Sequence, residues 1–95
     1  MNPNTNTNTT TLRLRGEHLE WKQIDGEIVA LDTVRAEYLS VDGSGVELWH
    51  ALRAGTTRGA LIASLVDRYA IGADRAGADV DAFLEDLAGR DLLAA

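Results

Sequence analysis

The chain has 95 residues, 45% of them hydrophobic and 25% charged, which allows one compact folded domain and excludes a second core. It contains no cysteine, so disulfides, thiolate nucleophiles and cysteine-ligated metal sites are excluded together. Its formal net charge of -6 repels phosphate backbones and anionic lipid surfaces, so we expect neither nucleic acid nor a membrane among its partners.

Residues 1–17 are predicted to form a disordered polar tail. The chain begins MNPNTNTNTTT, and nothing in this low-complexity tract after the initiator is apolar enough to offset the entropy of ordering it. The sequence has no hydrophobic targeting or membrane-spanning stretch, which favours a cytoplasmic location. We therefore place the tail at residues 1–17 and a single domain at residues 18–95.

Two short strands follow, joined by a tight turn. Around Leu19 and Trp21, apolar and polar residues alternate with the period of two that is typical of a half-buried strand. Asp25-Gly26 tolerates the positive φ angles of a type I′ turn. The segment 27–31 is therefore predicted to pair with the first strand as a hairpin.

A third strand is predicted over residues 37–41. Its sequence alternates, so that Leu39 and Val41 share one face while Tyr38 and Ser40 share the other. The three strands together predict an antiparallel meander, with the third strand at its edge.

Three helices follow the meander. The first has an apolar stripe of Leu48, Trp49 and Leu52 and ends at Gly55. Thr57 is the predicted N-cap of the second helix, whose stripe comprises Leu61, Ile62, Leu65, Val66 and Tyr69. Asp74 is the predicted cap of the third helix, whose stripe comprises Val80, Phe83, Leu84 and Leu87 before an end near Gly89. The sequence predicts an α+β domain, a three-stranded antiparallel sheet followed by three helices, with Trp21 and Trp49 in its core.

No enzymatic site is predicted. His18 and His50 are the side chains with a pKa near neutrality, but neither has a second histidine at metal-ligand spacing. Ser44 lies between adjacent glycines, whereas a nucleophile elbow needs glycines two positions away, so a strand-to-helix turn is favoured. We therefore expect a protein that is not an enzyme and that holds no metal or cofactor.

A winged-helix DNA-binding protein also has three helices beside a small sheet. From Asp74 onward, however, the chain carries six acidic residues and two arginines, a local charge of -4. Recognition helices need basic or amide side chains that face bases and phosphates. The fold is thus predicted to be winged-helix-like, and an acidic winged-helix regulator is retained only as a minor alternative that predicts salt-dependent DNA binding.

Three consecutive runs of this sequence resemble the PqqD-like family, the recognition elements for ribosomally made, modified peptides. The runs are residues 25–32, 37–41 and 45–49, and the similarity continues through residues 79–87 and 91–93. The resemblance covers about residues 18 to 94 of the chain. Short free-standing members of this length look most like the recognition proteins of lasso peptide pathways.

The resemblance implies that the chain binds the leader segment of a precursor peptide and presents it to a separate leader peptidase, a transglutaminase-like cysteine protease. In the family, the leader lies antiparallel to the third strand, in a cleft walled by the third helix. Carried over to this sequence, the peptide-binding residues are Glu37, Tyr38, Leu39, Ser40, Val41, Asp79, Val80, Phe83, Leu84 and Leu87. Some of these helix residues are expected to be core instead, since an apolar helix stripe packs on the sheet by default.

Two further hypotheses concern the groove and the partner. Asp79, Asp81 and Glu85 are predicted to rim the groove and to favour a leader with basic residues. The alternative function from another class is an adaptor that docks on a folded protein partner rather than on a linear peptide.

Overall fold

The structure is a computed structural model, and it describes residues 9–94. These residues form three helices and two three-stranded antiparallel sheets. In chain order the elements are β1 (Thr11–Leu14), β2 (Leu19–Ile24), β3 (Glu27–Asp32), β4 (Glu37–Val41), α1 (Ser44–Ala54), β5 (Thr56–Thr57), α2 (Arg58–Tyr69), α3 (Ala73–Gly89) and β6 (Leu93–Ala94). The predicted α+β fold is confirmed, since an antiparallel meander precedes three helices.

The larger sheet has the strand order β2-β3-β4 and is the predicted meander. Its first turn is the two-residue connection at Asp25 and Gly26, whose φ angles of 52° and 81° are both positive, as a type I′ turn requires. Its second turn is anchored by Asp32, whose carboxylate accepts hydrogen bonds from the amides of Val34 and Arg35 at 3.0 and 3.1 Å. Both connections are short, so they fix the register of the sheet.

The two faces of this sheet have different surroundings. The inner face packs on the helices and buries Ile28, Ala30, Leu39 and Val41. The outer face exposes Tyr38 and Ile24, whose side chains are 72% and 47% accessible. The sheet is therefore half-buried, as the alternation of its sequence predicts.

The helices begin and end close to the predicted residues, with one difference in capping. Thr57 caps α2 as predicted, because its hydroxyl accepts a hydrogen bond from the amide of Ala60 at 3.1 Å. The predicted cap of α3 is wrong: Gly72 is the N-cap and makes no side-chain bond, while Asp74 lies in the first helical turn. A carboxylate is stabilised there by the helix dipole instead. Within residues 9–94, no helix is long and apolar enough to cross a bilayer.

β1 is a correction to the predicted tail. The sequence predicts disorder over residues 1–17, but residues 11–14 form a strand between β5 and β6. Leu12 and Leu14 alternate with polar residues, and Leu14 is buried in the core. The strand was missed because its partners are two-residue strands far along the chain, so no local turn marks the pairing. Residues 1–8, which hold the rest of the predicted tail, lie outside the described residues.

The core lies between the inner face of the meander, β1 and the three helices. Its largest fully buried side chains are Trp49, Ile28, Leu52, Leu61, Leu65, Leu87 and Val80. Trp49 is core as predicted, and Trp21 packs edge-on against it while remaining half-buried. At roughly 25 cal/mol per Å² of apolar surface removed from water, these side chains supply most of the stabilisation available to a domain of this size.

Candidate functional site

β4 forms one edge of the meander sheet, and no strand within residues 9–94 pairs with its outer side. β2 forms the opposite edge and sits beside α1. There, the rings of Trp21 and Trp49 are 5.9 Å apart, and Oε1 of Gln23 lies 2.9 Å from Nε2 of His50. An unpaired strand edge is a template for one more strand, so the surroundings of each edge decide what can approach it.

The hydrogen-bond phase of the sheet, meaning which residue pairs are bonded and which are not, shows which main-chain groups of β4 are unpaired. The amide of Thr33 donates to the carbonyl oxygen of His18 at 2.8 Å, and bonded pairs alternate with non-bonded pairs along an antiparallel ladder. When the register is followed from this bond across the sheet, the main-chain groups of Leu39 point toward β3. The amides and carbonyls of Tyr38 and Ser40 therefore point to the open edge.

A groove separates this edge from α3, and two adjoining cavities make up its length. The proximal cavity, of about 630 Å³, lies at the start of β4 and is lined by Arg35, Glu37, Tyr38, Glu85, Asp86, Gly89 and Arg90. The distal cavity, of about 470 Å³, lies at the end of β4 and is lined by Ser40, Val41, Asp42, Ser44, Gly45, Leu48, Asp79, Ala82, Phe83 and Asp86. Asp86 borders both cavities, so they form one continuous groove between β4 and α3.

The floor of the distal cavity is apolar. Phe83 is half-buried and lies against the first turn of α1, where Gly45 has no side chain to obstruct it. A Cβ built on Gly45 would lie 2.7 Å from Cγ1 of Val41 and 3.2 Å from Cε1 of Phe83. Glycine is therefore required for this close approach, and together with Leu48 the Phe83 ring forms a floor for an apolar side chain.

The residues of β4 that were predicted to bind a peptide divide by face. Glu37, Tyr38 and Ser40 are exposed, whereas the side chains of Leu39 and Val41 are each only 8% accessible. Leu39 therefore contributes packing beneath the edge rather than a contact surface, while Val41 still borders the distal cavity.

The predicted residues of α3 divide in the same way. Asp79 and Phe83 line the groove, and Leu84 is half-buried against the core. Val80 and Leu87 are 0% and 1% accessible, so their assignment to the groove wall is wrong. Their side chains project into the domain, which is the default for an apolar helix stripe.

The groove residues that sequence reasoning missed lie beside this stripe. Ala82 and Asp86 share one face of α3 with Asp79 and Phe83, at helical spacings of three and four residues. Arg35 and Arg90 border the proximal cavity from the turn before β4 and the end of α3. A polar flank next to an apolar stripe is the normal solvated face of a helix, so no sequence signal distinguished these residues.

Asp81 does not rim the groove as predicted. Its carboxylate accepts two hydrogen bonds from Arg58, at 2.7 and 2.9 Å, and the pair joins α3 to α2. These bonds lower the pKa of Asp81 and raise the pKa of Arg58. Glu85 does line the proximal cavity, as expected.

The residues considered for catalysis occupy structural positions. His50 lies next to Gln23 and 5.7 Å from the ring of Trp21. Ser44 is the first residue of α1, at the strand-to-helix turn. Within residues 9–94 there is no group of three or more histidine, aspartate or glutamate side chains placed to hold a metal ion.

Comparisons with known proteins agree with this fold. Residues 27–93 match the family model of PqqD, described as coenzyme PQQ synthesis protein D. Among solved structures, the chain is similar to TbiB1 in complex with the TbiA(beta) leader peptide, with a TM-score of 0.78 and 23% sequence identity over 85% of this chain and 93% of that one. This similarity shows the fold. No curated protein sequence matches the chain.

Proposed function

Because the chain belongs to the PqqD family, we propose that it binds the leader segment of a ribosomal precursor peptide, as a fourth strand added to β4. A leader peptide is also what TbiB1 holds in its solved complex. We further propose that the precursor is that of a lasso peptide, the class that the sequence resemblance implies. In this role the chain performs no bond chemistry of its own, and it presents the leader to a transglutaminase-like cysteine protease in the cytoplasm.

One observation carries the proposal: the unpaired edge of β4 faces a groove made of two adjoining cavities of about 630 and 470 Å³. The amides and carbonyls of Tyr38 and Ser40 point into this space. Strand addition uses such groups for affinity, since main-chain hydrogen bonds form with any sequence, while pockets for alternate side chains give specificity. The groove between β4 and α3 supplies such pockets.

The register of the sheet sets which side chains of the guest enter the groove. Directly opposite residues in an antiparallel pair share a face. Guest residues opposite Leu39 and Val41 therefore point inward, toward Phe83 and Leu48, and those opposite Tyr38 and Ser40 point outward. We expect the leader to carry two apolar residues separated by one position, which fill the floor of the groove.

Proline at position 40 tests the proposal. Ser40→Pro removes one amide that points to the open edge, and its ring obstructs an approaching strand. We expect at least a tenfold loss of affinity. The lost hydrogen bond and the obstructing ring together should cost at least about 1.4 kcal/mol of binding free energy, which is a factor of ten in the dissociation constant. The measurement is fluorescence anisotropy with a labelled leader peptide.

Gln23→Pro is the matched control. By the same phase, the amide of Gln23 points to the open side of β2, at the opposite edge of the sheet. This variant should bind the leader as the unchanged protein does. Circular dichroism must show that both variants stay folded. Equal affinity of Ser40→Pro and the unchanged protein would contradict strand addition to β4.

A second candidate function is an adaptor that docks on a folded partner, and the outer face of the sheet favours it. Tyr38 and Ile24 are exposed there beside the half-buried Val29 and Leu31. Titration with a short synthetic leader separates the two functions. A leader-binding protein responds to the isolated peptide, whereas an adaptor of this kind responds only to the folded partner.

A further inference from the structure

The two ends of the groove carry different charge. The distal cavity is lined by three carboxylates and by no cation. The proximal cavity is lined by two arginines, which also border a third cavity of about 440 Å³ in which another arginine lies. These three arginines are Arg35, Arg90 and Arg15. All the arginines that line the three cavities thus lie at the start of β4 or beyond it.

The guanidinium of Arg35 is available to an anion. Its contact within residues 9–94 is a hydrogen bond to the carbonyl oxygen of Gly89 at 3.4 Å, and no carboxylate pairs with it. Arg90 donates to Asp86 at 3.2 Å, and Arg15 lies 4.0 Å from Asp91. Exposed ion pairs of this kind are weak, so a bound carboxylate can compete for these two arginines as well.

The surrounding carboxylates limit where an anion is favoured. In the proximal cavity, Glu37, Glu85 and Asp86 accompany Arg35 and Arg90, and Asp86 already pairs with Arg90. In the third cavity, the carboxylates of Glu17, Asp32 and Asp91 accompany the three arginines; that of Asp32 is buried and accepts two amide hydrogen bonds. The excess of carboxylates over arginines therefore falls from three in the distal cavity to one in the proximal cavity and to none in the third, so an anion meets the least repulsion past the start of β4.

The direction of the guest strand turns this charge difference into a sequence requirement. β4 runs from the proximal to the distal cavity, so a guest strand antiparallel to it, the orientation that the sequence resemblance implies, enters over the distal cavity and leaves past Arg35. We propose that the bound peptide carries acidic residues just C-terminal to its paired segment, where Arg35, Arg90 and Arg15 receive them. Acidic residues on its N-terminal side would instead meet the carboxylates of the distal cavity. This inference rests on the proposed function.

A selection from a random peptide library tests the requirement without knowledge of the natural leader. The immobilised protein selects displayed peptides of about 15 residues, long enough for one strand and its flanks. We expect aspartate and glutamate to be enriched about threefold after the apolar segment, and depleted before it, as weak exposed ion pairs would give. The enrichment should shrink at high salt, because screening weakens such pairs.

Two variants that reverse one charge each make the test specific. Arg35→Glu should abolish the acidic enrichment after the segment. Lys22→Glu makes the same change of charge on an exposed residue of β2, away from the groove, and should leave the enrichment intact. An unchanged enrichment with Arg35→Glu overturns the inference, as does a selection by the unchanged protein with no positional preference for acids.

The proposed function has its own outcome in the same experiment. If the unchanged protein and Ser40→Pro select the same peptides to the same extent, strand addition to β4 fails and the charge requirement fails with it. If the unchanged protein selects apolar strands that Ser40→Pro does not retain, but without a charged flank, strand addition stands and the charge requirement alone is overturned.

Discussion

Arg58 and Asp81 form a two-point ion pair that joins α2 to α3, with donor to acceptor distances of 2.7 and 2.9 Å. The hydrogen bond from Arg58 holds the pKa of Asp81 below its ordinary value of 3.8. A carboxyl whose pKa is lower in the folded chain stabilises the fold while it is ionised. Its contribution is therefore complete above the ordinary pKa and is lost as the pH falls through the lowered pKa.

Asp81→Asn should destabilise the domain at neutral pH and lose this part of its acid sensitivity. We expect a lower urea midpoint than that of the unchanged protein at about pH 7, and a difference that shrinks as the pH falls below the ordinary pKa and the carboxyl of the folded protein takes up its proton. Asp79→Asn, on the same helix but without an ion pair within residues 9–94, is the control. A pH-independent difference would show that the ion pair does not stabilise the fold.

Leu14→Ala should lower the free energy of unfolding by about 2–4 kcal/mol, because it removes a buried side chain of β1 from the core. The measurement is urea unfolding followed by circular dichroism. Thr11→Ala, at an exposed position of the same strand, should change the value by less than about 0.5 kcal/mol. A negligible effect of Leu14→Ala would mean that β1 contributes no packing to the domain in solution.

Gly45→Ala should cost about 1–3 kcal/mol in the free energy of unfolding, as overpacking of a tightly packed site does. The added methyl group would lie 2.7 Å from Cγ1 of Val41, whose branched side chain has little freedom to move. Gly89→Ala, also at a helical position, is the matched control, since nothing lies within 4 Å of a Cβ there. Equal unfolding midpoints for the two variants would show that Val41 and Phe83 can move aside without cost.

Phe83→Ala and Val80→Ala separate groove from core on one helix. Phe83 borders the distal cavity, so its truncation should weaken leader binding by about tenfold through lost apolar contact. Val80 is fully buried, so its truncation should leave the affinity of the folded protein unchanged and lower the free energy of unfolding by about 2 kcal/mol. Anisotropy titrations and urea unfolding of both variants check this. The opposite pattern would place Phe83 in the core.

Local chemistry explains why most of the fold could be predicted from sequence. Asp25-Gly26 tolerates the positive φ angles that a type I′ turn requires, and the alternation of apolar and polar residues around it leaves one register for the hairpin. The hydroxyl of Thr57 caps a helix whose apolar period is clear. β1 has the same alternation in Leu12 and Leu14, but it pairs only with residues distant in sequence, and a long-range partner leaves no mark near the strand itself.

The site was less predictable than the fold for a different reason. An apolar side chain on a helix carries no sign of whether it faces the sheet or a groove. Val80 and Leu87 face the core and Phe83 faces the cavity, and the packing of α3 on the rest of the domain decides which of them does which. The direction in which the amides and carbonyls of Tyr38 and Ser40 point is likewise independent of their side chains. Only the alternation of bonded and non-bonded pairs in the sheet reveals it.

The pairing of β1 with β6 has a consequence for biosynthesis. Arg13 is opposite Ala94 in this ladder, so the first and last strands of the described chain meet. During translation the meander can close locally as soon as it leaves the ribosome, and β1 can pair with β5, but its pairing with β6 must wait for residues 93–94. We therefore expect nascent chains released before β6 to leave one side of β1 unpaired, as a segment that chaperones and proteases would recognise.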